Sequence, residues 1–287
     1  PRLFPPGLPL QALAIRPSVP PMKDLCPQPA PILQSRLPFL PWMDPRTARM
    51  PGILPVEGED WLRVDDAYAG QMAERERLIE GALPVVHALL PEGCPAADEL
   101  YATVLDRLTR MEGFRIGAAS VLRPDRVEVA LDPENPLITL GRLVQEDLCL
   151  MEEAGQEHRL TGGILCFPAS WTLGQKIGRA LVSIHQPVDA YDDGMARRVQ
   201  RLFDAIRPGA ALWRMNFLTY DDPALHQPRR EGQSRPRPQG HFYIRCERQS
   251  LLRLPQTRAV VFAIHTYVVP ADTLAPAELA ALKAAQH

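Results

Sequence analysis

Apolar positions recur at helical spacing in the first part of the chain. A helix over residues 67–90, bent at Pro84, is predicted because apolar side chains follow each other every three or four positions. These side chains are Met72, Ile79, Leu83, Val86 and Leu90. A second helix is predicted from a similar series, with Asp98 or a neighbour as its N-cap. That series comprises Leu100, Val104, Leu105, Leu108 and Met111.

Later segments alternate apolar and polar positions, which is typical of strands. Residues 127–131, 213–218 and 242–247 alternate in this way, and the mostly apolar run 259–269 predicts a central strand. Because successive side chains of a strand point to opposite faces, certain polar residues are predicted to share a face. These pairs are Arg214 with Asn216, Arg245 with Glu247, and His265 with Tyr267.

Two further helices are predicted, one over residues 195–206 and a short one that begins near Pro276. Residues 221–240 are rich in Pro, Arg, Gln and Gly, which indicates a loop between two strands. Helices come first in this order, and strands interrupted by helices follow. The order predicts an α+β fold with a largely antiparallel sheet.

Proline marks the N-terminal region of the chain. Fifteen of the 31 prolines precede residue 60. Proline fixes φ and lacks an N–H group, so a regular helix or central strand is disfavoured there. We therefore predict a proline-rich extended arm over residues 1–50, a folded domain over residues 51–275, and a C-terminal helix or tail over residues 276–287.

The segment of residues 163–191 joins a short apolar strand to a helix. The strand is predicted to end at Pro168, and the helix is predicted over residues 173–184. Ser170 or Thr172 can cap the first turn of this helix, because a hydroxyl oxygen accepts a hydrogen bond from an unpaired backbone N–H.

His185 is predicted to lie in the last turn of that helix, where Pro187 forbids its continuation. Ile177, Leu181 and His185 are spaced four residues apart, so they are expected on one apolar stripe. This position suits a metal or haem ligand, but it also suits a core histidine bonded to a carbonyl. Lys176 is predicted to point away from the stripe and to be exposed.

Composition and charge exclude several classes of function. The formal net charge is −2, which provides no basic face for nucleic acid. We expect no transmembrane helix, since no run of about 18 apolar residues is present. The five cysteines are dispersed without a CxxC pair, which argues against a zinc ribbon or disulfide framework and predicts a cytoplasmic protein with reduced thiols. Hydrolase, metalloprotease and dinucleotide signatures are absent from the sequence.

A series of short blocks occurs in a fixed order along the chain. They are residues 61–68, 74–75, 143–148, 166–171, 176–178, 184–188, 191, 214–216, 245–249, 252–255 and 261–267. The series resembles the haem-dependent oxidative N-demethylase alpha-subunit family, formerly a domain of unknown function, over roughly residues 38–270. The chain departs from the family pattern at Asp189, where proline is expected, and at Phe217, where tryptophan is expected.

The resemblance implies a PAS-like domain, with an antiparallel sheet flanked by helices, that binds b-type haem. It implies an iron-dependent oxidoreductase that removes a methyl group from a small alkylamine with O2. Electrons would come from a separate reductase, and the flavin and iron–sulfur centre would be carried only by those partner subunits. No nucleic acid or membrane partner is expected.

The same resemblance implies ligands for the haem. His185 is the candidate proximal ligand of the iron. His265 is the alternative on a different ground, because it is predicted on a sheet face that could line a pocket. Arg214 and Asn216 are candidates for binding the cofactor, because a guanidinium group suits a propionate carboxylate.

The resemblance also implies catalytic candidates, namely Glu247, Arg248 and Tyr267. An acidic side chain suits an ammonium substrate, and a tyrosine hydroxyl can donate a hydrogen bond to bound oxygen. The polar residues are also compatible with an internal ion-pair network, and Tyr267 with simple packing. Glu247 and Arg248 are expected on opposite faces of a regular strand.

Two alternative functions remain compatible with the sequence. One is a non-catalytic haem-binding PAS sensor, and the other is a haem-free PAS-like interaction module. The absence of a Soret band would exclude the enzyme and the sensor, whereas a response of the haem spectrum to small amines would favour the enzyme.

Overall fold

The structure is a computed structural model that describes residues 30–48, 52–155, 157–185, 193–236 and 238–285. The chain divides at Ala30, and the architecture below belongs to the unit Pro31–His287. Most of the predicted arm over residues 1–50 lies outside the described residues. So do the side chains of His185 and of residues 193–197.

The described chain contains helices and short strands in mixed order. The helices are α1 (Tyr68–Val86), α2 (Cys94–Leu108), α3 (Pro136–Gly141), α4 (Leu173–Lys176), α5 (Leu181–His185), α6 (Asp193–Ala205) and α7 (Pro276–Ala285). The strands are β1 (Leu54–Pro55), β2 (His87–Leu89), β3 (Arg115–Ile116), β4 (Ser120–Leu122), β5 (Glu128–Ala130), β6 (Asp147–Ala154), β7 (Glu157–Ile164), β8 (Leu212–Tyr220), β9 (Tyr243–Arg253) and β10 (Val260–Pro270).

A large antiparallel sheet organises these elements. Its strand order is β1-β8-β9-β10-β6-β7-β2, and a small separate sheet has the order β3-β4-β5. All the pairings between these strands are antiparallel. The helices α4, α5 and α6 lie in sequence between β7 and β8. The predicted α+β fold with a largely antiparallel sheet is confirmed.

The N-terminal helices agree with the apolar pattern except at two ends. The helix α1 covers Tyr68–Val86 of the predicted segment, and its geometry is non-helical at Ala82, just before Pro84. The predicted end at residue 90 is wrong, because residues 87–89 form β2. The helix α2 begins at Cys94 with Pro95 in its first turn, so the prediction that Asp98 caps it is wrong. Proline is well suited to that position, because the N–H it lacks would have no partner there.

The strand β10 lies between β9 and β6, as expected for a central strand. The alternating segments correspond to β5, β8 and the start of β9. The strand β6 was not predicted, because its first five residues are all buried and do not alternate in polarity. Strands buried on both faces lack the period of two on which sequence prediction depends.

The continuous helix predicted over residues 173–184 is wrong, because the chain breaks between α4 and α5. Gly178 has a φ of +77°, a left-handed conformation that glycine adopts without steric cost. The N–H of Gly178 donates to the carbonyl of Leu160 at 2.8 Å, and the N–H of Leu160 donates to the carbonyl of Arg179 at 3.1 Å. These bonds satisfy backbone groups of β7 that the short strand β2 leaves unpaired, which explains the break.

The two faces of the large sheet carry separate cores. One face packs against α1, α2 and α3, and we call it the α1 face. Its buried side chains include Leu148, Leu150, Val261 and Ala263. The other face packs against α4, α5 and α6, and we call it the α5 face. Its apolar side chains include Cys149, Leu251, Ile264, Leu181 and Phe203.

Candidate functional site

The candidate residues are distributed over both faces of the sheet. Arg214 and Asn216 on β8 share the α5 face with Glu247 on β9, because Asn216 lies directly opposite Glu247 in the ladder. His185 ends α5, the helix that covers this face. Arg248 lies one residue further along β9 and therefore points to the α1 face, which Tyr267 shares.

Glu247 is a buried carboxyl group with one satisfied and one unsatisfied oxygen. Its Oε2 accepts hydrogen bonds at 3.1 Å from Asn216 Nδ2 and from Gln249 Nε2. Its Oε1 has no hydrogen-bond partner among the described residues, and the nearest cation is the Arg245 guanidinium at 3.7 Å. Burial raises the pKa of Glu247 above its usual value, although Arg245 and Asn216 oppose that shift.

Arg214 supplies positive charge on the same face. It lies opposite Gln249 in the ladder, two positions from Asn216 on its own strand. Burial lowers the pKa of Arg214, and the charge of Glu247 opposes this effect. The strand β8 thus presents a guanidinium and an amide on one side, because its side chains alternate between the faces.

Apolar side chains lie on the same side of the sheet as this polar group. Leu212, Phe262, Trp171, Ile177 and Ile184 pack against the core of the α5 face but remain half-buried. A row of half-buried apolar groups beside an arginine fits haem, whose flat apolar ring carries carboxylate propionates. The unpartnered Oε1 of Glu247 is a second observation that fits a ligand here, because buried polar atoms normally have partners.

No group of three or more His, Cys, Asp or Glu side chains suited to a bare metal ion occurs within the described residues. Haem iron is held by axial protein ligands such as a proximal histidine. The backbone of His185 ends α5 over the face that carries Glu247. The following residues 186–192, which include Pro187, Asp189 and Tyr191, lie outside the described part of the chain.

Lys176 is buried, so the prediction that it is exposed is wrong. Its side chain is 7% exposed. Its Nζ donates to the carbonyl of Ile184 at 2.5 Å and to Glu231 Oε1 at 2.7 Å. The break at Gly178 turns α5 back towards α4, which brings a carbonyl next to His185 within reach of this lysine.

Arg248 belongs to a network on the α1 face. Its guanidinium lies 4.8 Å from the centroid of the Trp213 ring and donates to Ser250 Oγ at 2.8 Å. It also reaches Asp60 at 3.4 Å. Burial lowers the pKa of Arg248, and the charge of Arg63 adds to that effect.

Tyr267 lines an open cleft of about 830 Å³ on this side of the sheet. The cleft is bordered by residues 34–38, 60 and 62–66, with Met111 and Tyr267. The Tyr267 hydroxyl accepts a hydrogen bond from Arg63 at 3.4 Å, and the Tyr267 ring lies 4.6 Å from the His265 ring. Arg214, Asn216 and Glu247 are therefore brought together on the α5 face. Arg248 and Tyr267 are separated from them by the sheet.

His265 is fully engaged by two carboxyl groups. Its Nδ1 lies 2.8 Å from Glu146 Oε1, and its Nε2 lies 3.1 Å from Asp65 Oδ2. Burial lowers the pKa of His265, but Tyr267, Glu146 and Asp65 outweigh burial and raise it to about 10. An iron ligand needs a nitrogen with a free lone pair. Neither ring nitrogen of His265 is therefore left with a free lone pair for iron.

We expect the ion pairs of His265 to make stability depend on pH. The folded-state pKa of about 10 exceeds the ordinary value of 6.5, so the stabilisation is complete below about pH 6.5 and is lost as pH rises towards 10. The slope should approach about 1.4 kcal/mol per pH unit. Urea unfolding between pH 6 and 10 measures it.

His265→Gln should reduce this slope, whereas His241→Gln at an exposed position should preserve it. A slope unchanged by His265→Gln would contradict the assignment of the raised pKa to His265.

A buried ion pair near the candidate site was missed by sequence reasoning. Arg75 and Asp147 meet at 2.7 Å with both side chains 0% exposed. Asp147 also accepts the N–H groups of Cys166 at 2.7 Å and Phe167 at 2.8 Å. Both charged residues occur in the ordered blocks of the sequence, but spacing carries no signal that would pair residues 72 positions apart.

The part of the chain that the structure describes contains no helix long and apolar enough to cross a membrane.

Comparison with known families identifies the family of this chain. The model of one family matches residues 52–286, which is most of the chain. The matched segment includes the whole large sheet and the helices α4, α5 and α6. The chain therefore belongs to the family described as "Haem-dependent oxidative N-demethylase, alpha subunit-like".

Proposed function

We propose that the protein is a haem-dependent oxidoreductase that removes a methyl group from a small alkylamine, using O2 and electrons from a separate reductase. The observation that carries this proposal is the buried Glu247, whose Oε1 has no hydrogen-bond partner among the described residues, beside Arg214 on the α5 face. Membership of a haem-dependent N-demethylase family supports the reaction type.

The haem in this proposal is of the b type and occupies the α5 face in a PAS-like domain. Five antiparallel strands, β7-β6-β10-β9-β8, form the centre of the sheet, and helices flank both sides, which supports that assignment. His185 is the proposed axial ligand. Arg214 would hold a propionate through charge-assisted hydrogen bonds, and Asn216 would orient Glu247. When bound, the haem would supply the redox chemistry with O2.

Glu247 is the proposed partner of the amine. A small alkylamine is an ammonium ion at neutral pH and lacks the free lone pair of the neutral amine. The Oε1 of Glu247 can accept an N–H of the ammonium, and the raised pKa of this carboxyl lets it take up that proton. The half-buried apolar side chains nearby would exclude water from the methyl group.

Arg248 and Tyr267 have an indirect role in this proposal. Both lie on the α1 face, where Arg248 contacts Trp213 and Tyr267 contacts Arg63. Their substitution should therefore alter catalysis through the position of β9 and β10.

Haem reconstitution tests the proposal. The protein purified with haem supplied should show a Soret band, and His185→Ala should shift or remove it because the iron loses its axial ligand. His241→Ala, at an exposed position, is the matched control and should leave the spectrum unchanged. Small amines should perturb the spectrum of the parent protein, and a reductant with O2 should then release the demethylated amine.

Other results would point to the alternatives. A parent protein without a Soret band would exclude every haem-dependent function and leave an interaction module. A haem spectrum that ignores all small amines would favour a sensor. An unchanged band in His185→Ala would move the ligand to another residue.

A further inference from the structure

Three charged side chains hold the last turn of α5, and we call them the α5 clamp: Lys176, Arg179 and Glu231. Lys176 Nζ donates to the carbonyl of Ile184 at 2.5 Å. Arg179 donates from NH2 to the carbonyl of Ser183 at 2.7 Å. Both cations also contact Glu231 Oε1, Lys176 at 2.7 Å and Arg179 at 2.8 Å.

The helix α5 needs such external support. It has five residues, whereas isolated helices shorter than about 12 residues are marginal in water. The last carbonyls of any helix lack partners within the helix, and cations are favoured at that end. Lys176 and Arg179 occupy this end and satisfy two consecutive carbonyls.

Burial makes the lysine the unusual member of the clamp. The chain has three lysines, and Lys176 is buried whereas Lys283 is exposed. A buried ammonium group is costly unless it is paired and hydrogen-bonded. Glu231 provides the counter-charge from a loop 55 residues further along the chain. The N–H of Glu231 also donates to Gln175 Oε1 at 3.2 Å, which ties this loop to α4.

The clamp acts at the residue that precedes the proposed iron ligand. The carbonyl that Lys176 binds belongs to the peptide bond between Ile184 and His185. Partners of this kind around a ligand orient it and tune the metal that it binds. We propose that Lys176, Arg179 and Glu231 are positioning residues for His185, which set the affinity for haem and its reduction potential. This inference rests on the proposed function.

The Lys176→Met substitution tests the clamp, because it retains most of the side-chain volume and removes the charge. Haem affinity is measured by titrating the apoprotein and following the Soret band, and the reduction potential is measured on the loaded protein. We expect roughly tenfold weaker haem binding, with a shifted spectrum and potential. Lys283→Met is the matched control and should match the parent in every measurement.

A second substitution tests the same role independently, in case Lys176→Met does not fold. The Glu231 side chain is 31% exposed, so Glu231→Ala should fold, and it should weaken haem binding in the same direction. Lys176→Arg, which keeps the charge and the donors, should restore part of the affinity. Thermal unfolding of each apoprotein reports the purely structural contribution.

The outcomes separate the clamp from the proposed function. The proposed function stands if the parent binds haem and His185→Ala changes the spectrum. If Lys176→Met and Glu231→Ala then retain the parental haem affinity and reduction potential, the positioning role of the α5 clamp is wrong. The clamp is equally wrong if these substitutions lower only the melting temperature of the apoprotein. If the parent binds no haem, the proposed function and the role of the α5 clamp are both wrong.

Discussion

Replacing Asp147 with alanine is expected to lower the free energy of unfolding by about 3–5 kcal/mol. The substitution leaves the Arg75 guanidinium charged and without its counter-ion at a site where both side chains are 0% exposed. It also removes the acceptor of the Cys166 and Phe167 N–H groups. A buried charge and two buried donors would thus lose their partner in one step, and urea unfolding of the apoprotein measures the cost.

A matched control separates burial from charge. Asp106 pairs with Arg110 at 2.8 Å, but its side chain is 67% exposed. Asp106→Ala should therefore leave the free energy of unfolding close to that of the parent, because solvent screens an exposed pair. The double variant Arg75→Met with Asp147→Leu removes both charges and should recover much of the lost stability. An Asp147→Ala protein as stable as the Asp106→Ala control would contradict the role assigned to the buried pair.

The location of this ion pair links stability to the candidate site. Asp147 begins β6 and holds the backbone that leaves β7, while Arg75 reaches it from α1. The chain then continues through Ser170 into α4 and α5. Asp147 lies opposite Ile264 in the ladder and therefore shares the α5 face with Glu247. Partial loss of the pair should therefore weaken haem binding as well.

Replacing Glu247 with glutamine should reduce amine-dependent turnover roughly 100-fold or more, because a positioned general base contributes about that much. Glutamine can keep the hydrogen bond with Asn216 but cannot accept a proton from an ammonium ion. Haem binding should persist, since the axial ligand and Arg214 are unchanged. Release of the demethylated amine is the activity measured, and the Soret band reports the bound haem.

Glu247→Gln should increase the free energy of unfolding, although it reduces turnover. The folded-state pKa of Glu247 is raised by burial, so the parent loses stability as pH rises through that pKa. The glutamine variant has no carboxyl to ionise, and its advantage over the parent should grow with pH. Urea unfolding of both apoproteins at about pH 5 and about pH 8 measures this difference.

Glu128→Gln, at an exposed position on β5, is the matched control for both measurements. It should retain parental turnover and a parental dependence of stability on pH. Parental turnover in Glu247→Gln would remove Glu247 from the proposed mechanism. Lower stability of Glu247→Gln than of the parent at the higher pH would instead show that the ionised carboxyl has a partner that offsets its burial.

Local patterns of the sequence determined much of the architecture. The helix α1 with its bend near Pro84, the strands β8 and β10, and the helix α6 follow from periodicity and from the position of proline. The predicted faces also hold, since Arg245 lies 3.7 Å from Glu247 and the ring of His265 lies 4.6 Å from that of Tyr267. These features depend on the repeat of a single element, which neighbouring residues specify.

The chemistry of the site depended on contacts between distant segments. The carboxyl groups around His265 come from residues 65 and 146, and the partners of Lys176 come from the chain break at Gly178 and from the loop at Glu231. Periodicity placed Lys176 on the exposed side because it assumed one continuous helix. Hydrogen bonds between Leu160 of β7 and the backbone at Gly178 and Arg179 interrupt that helix. The local sequence pattern does not indicate these bonds.

The sequence by itself determined the fold class, the position of the main strands, the faces on which their polar side chains lie and, through its ordered blocks, the family. Only the tertiary structure decided that Arg248 and Tyr267 lie across the sheet from Glu247, that His265 has both nitrogens engaged, and that Lys176 is buried against α5. The physical reason is the range of the interactions. Side-chain direction within a strand is set by neighbouring residues, whereas burial and pairing of charges are set by segments that meet only in the folded chain.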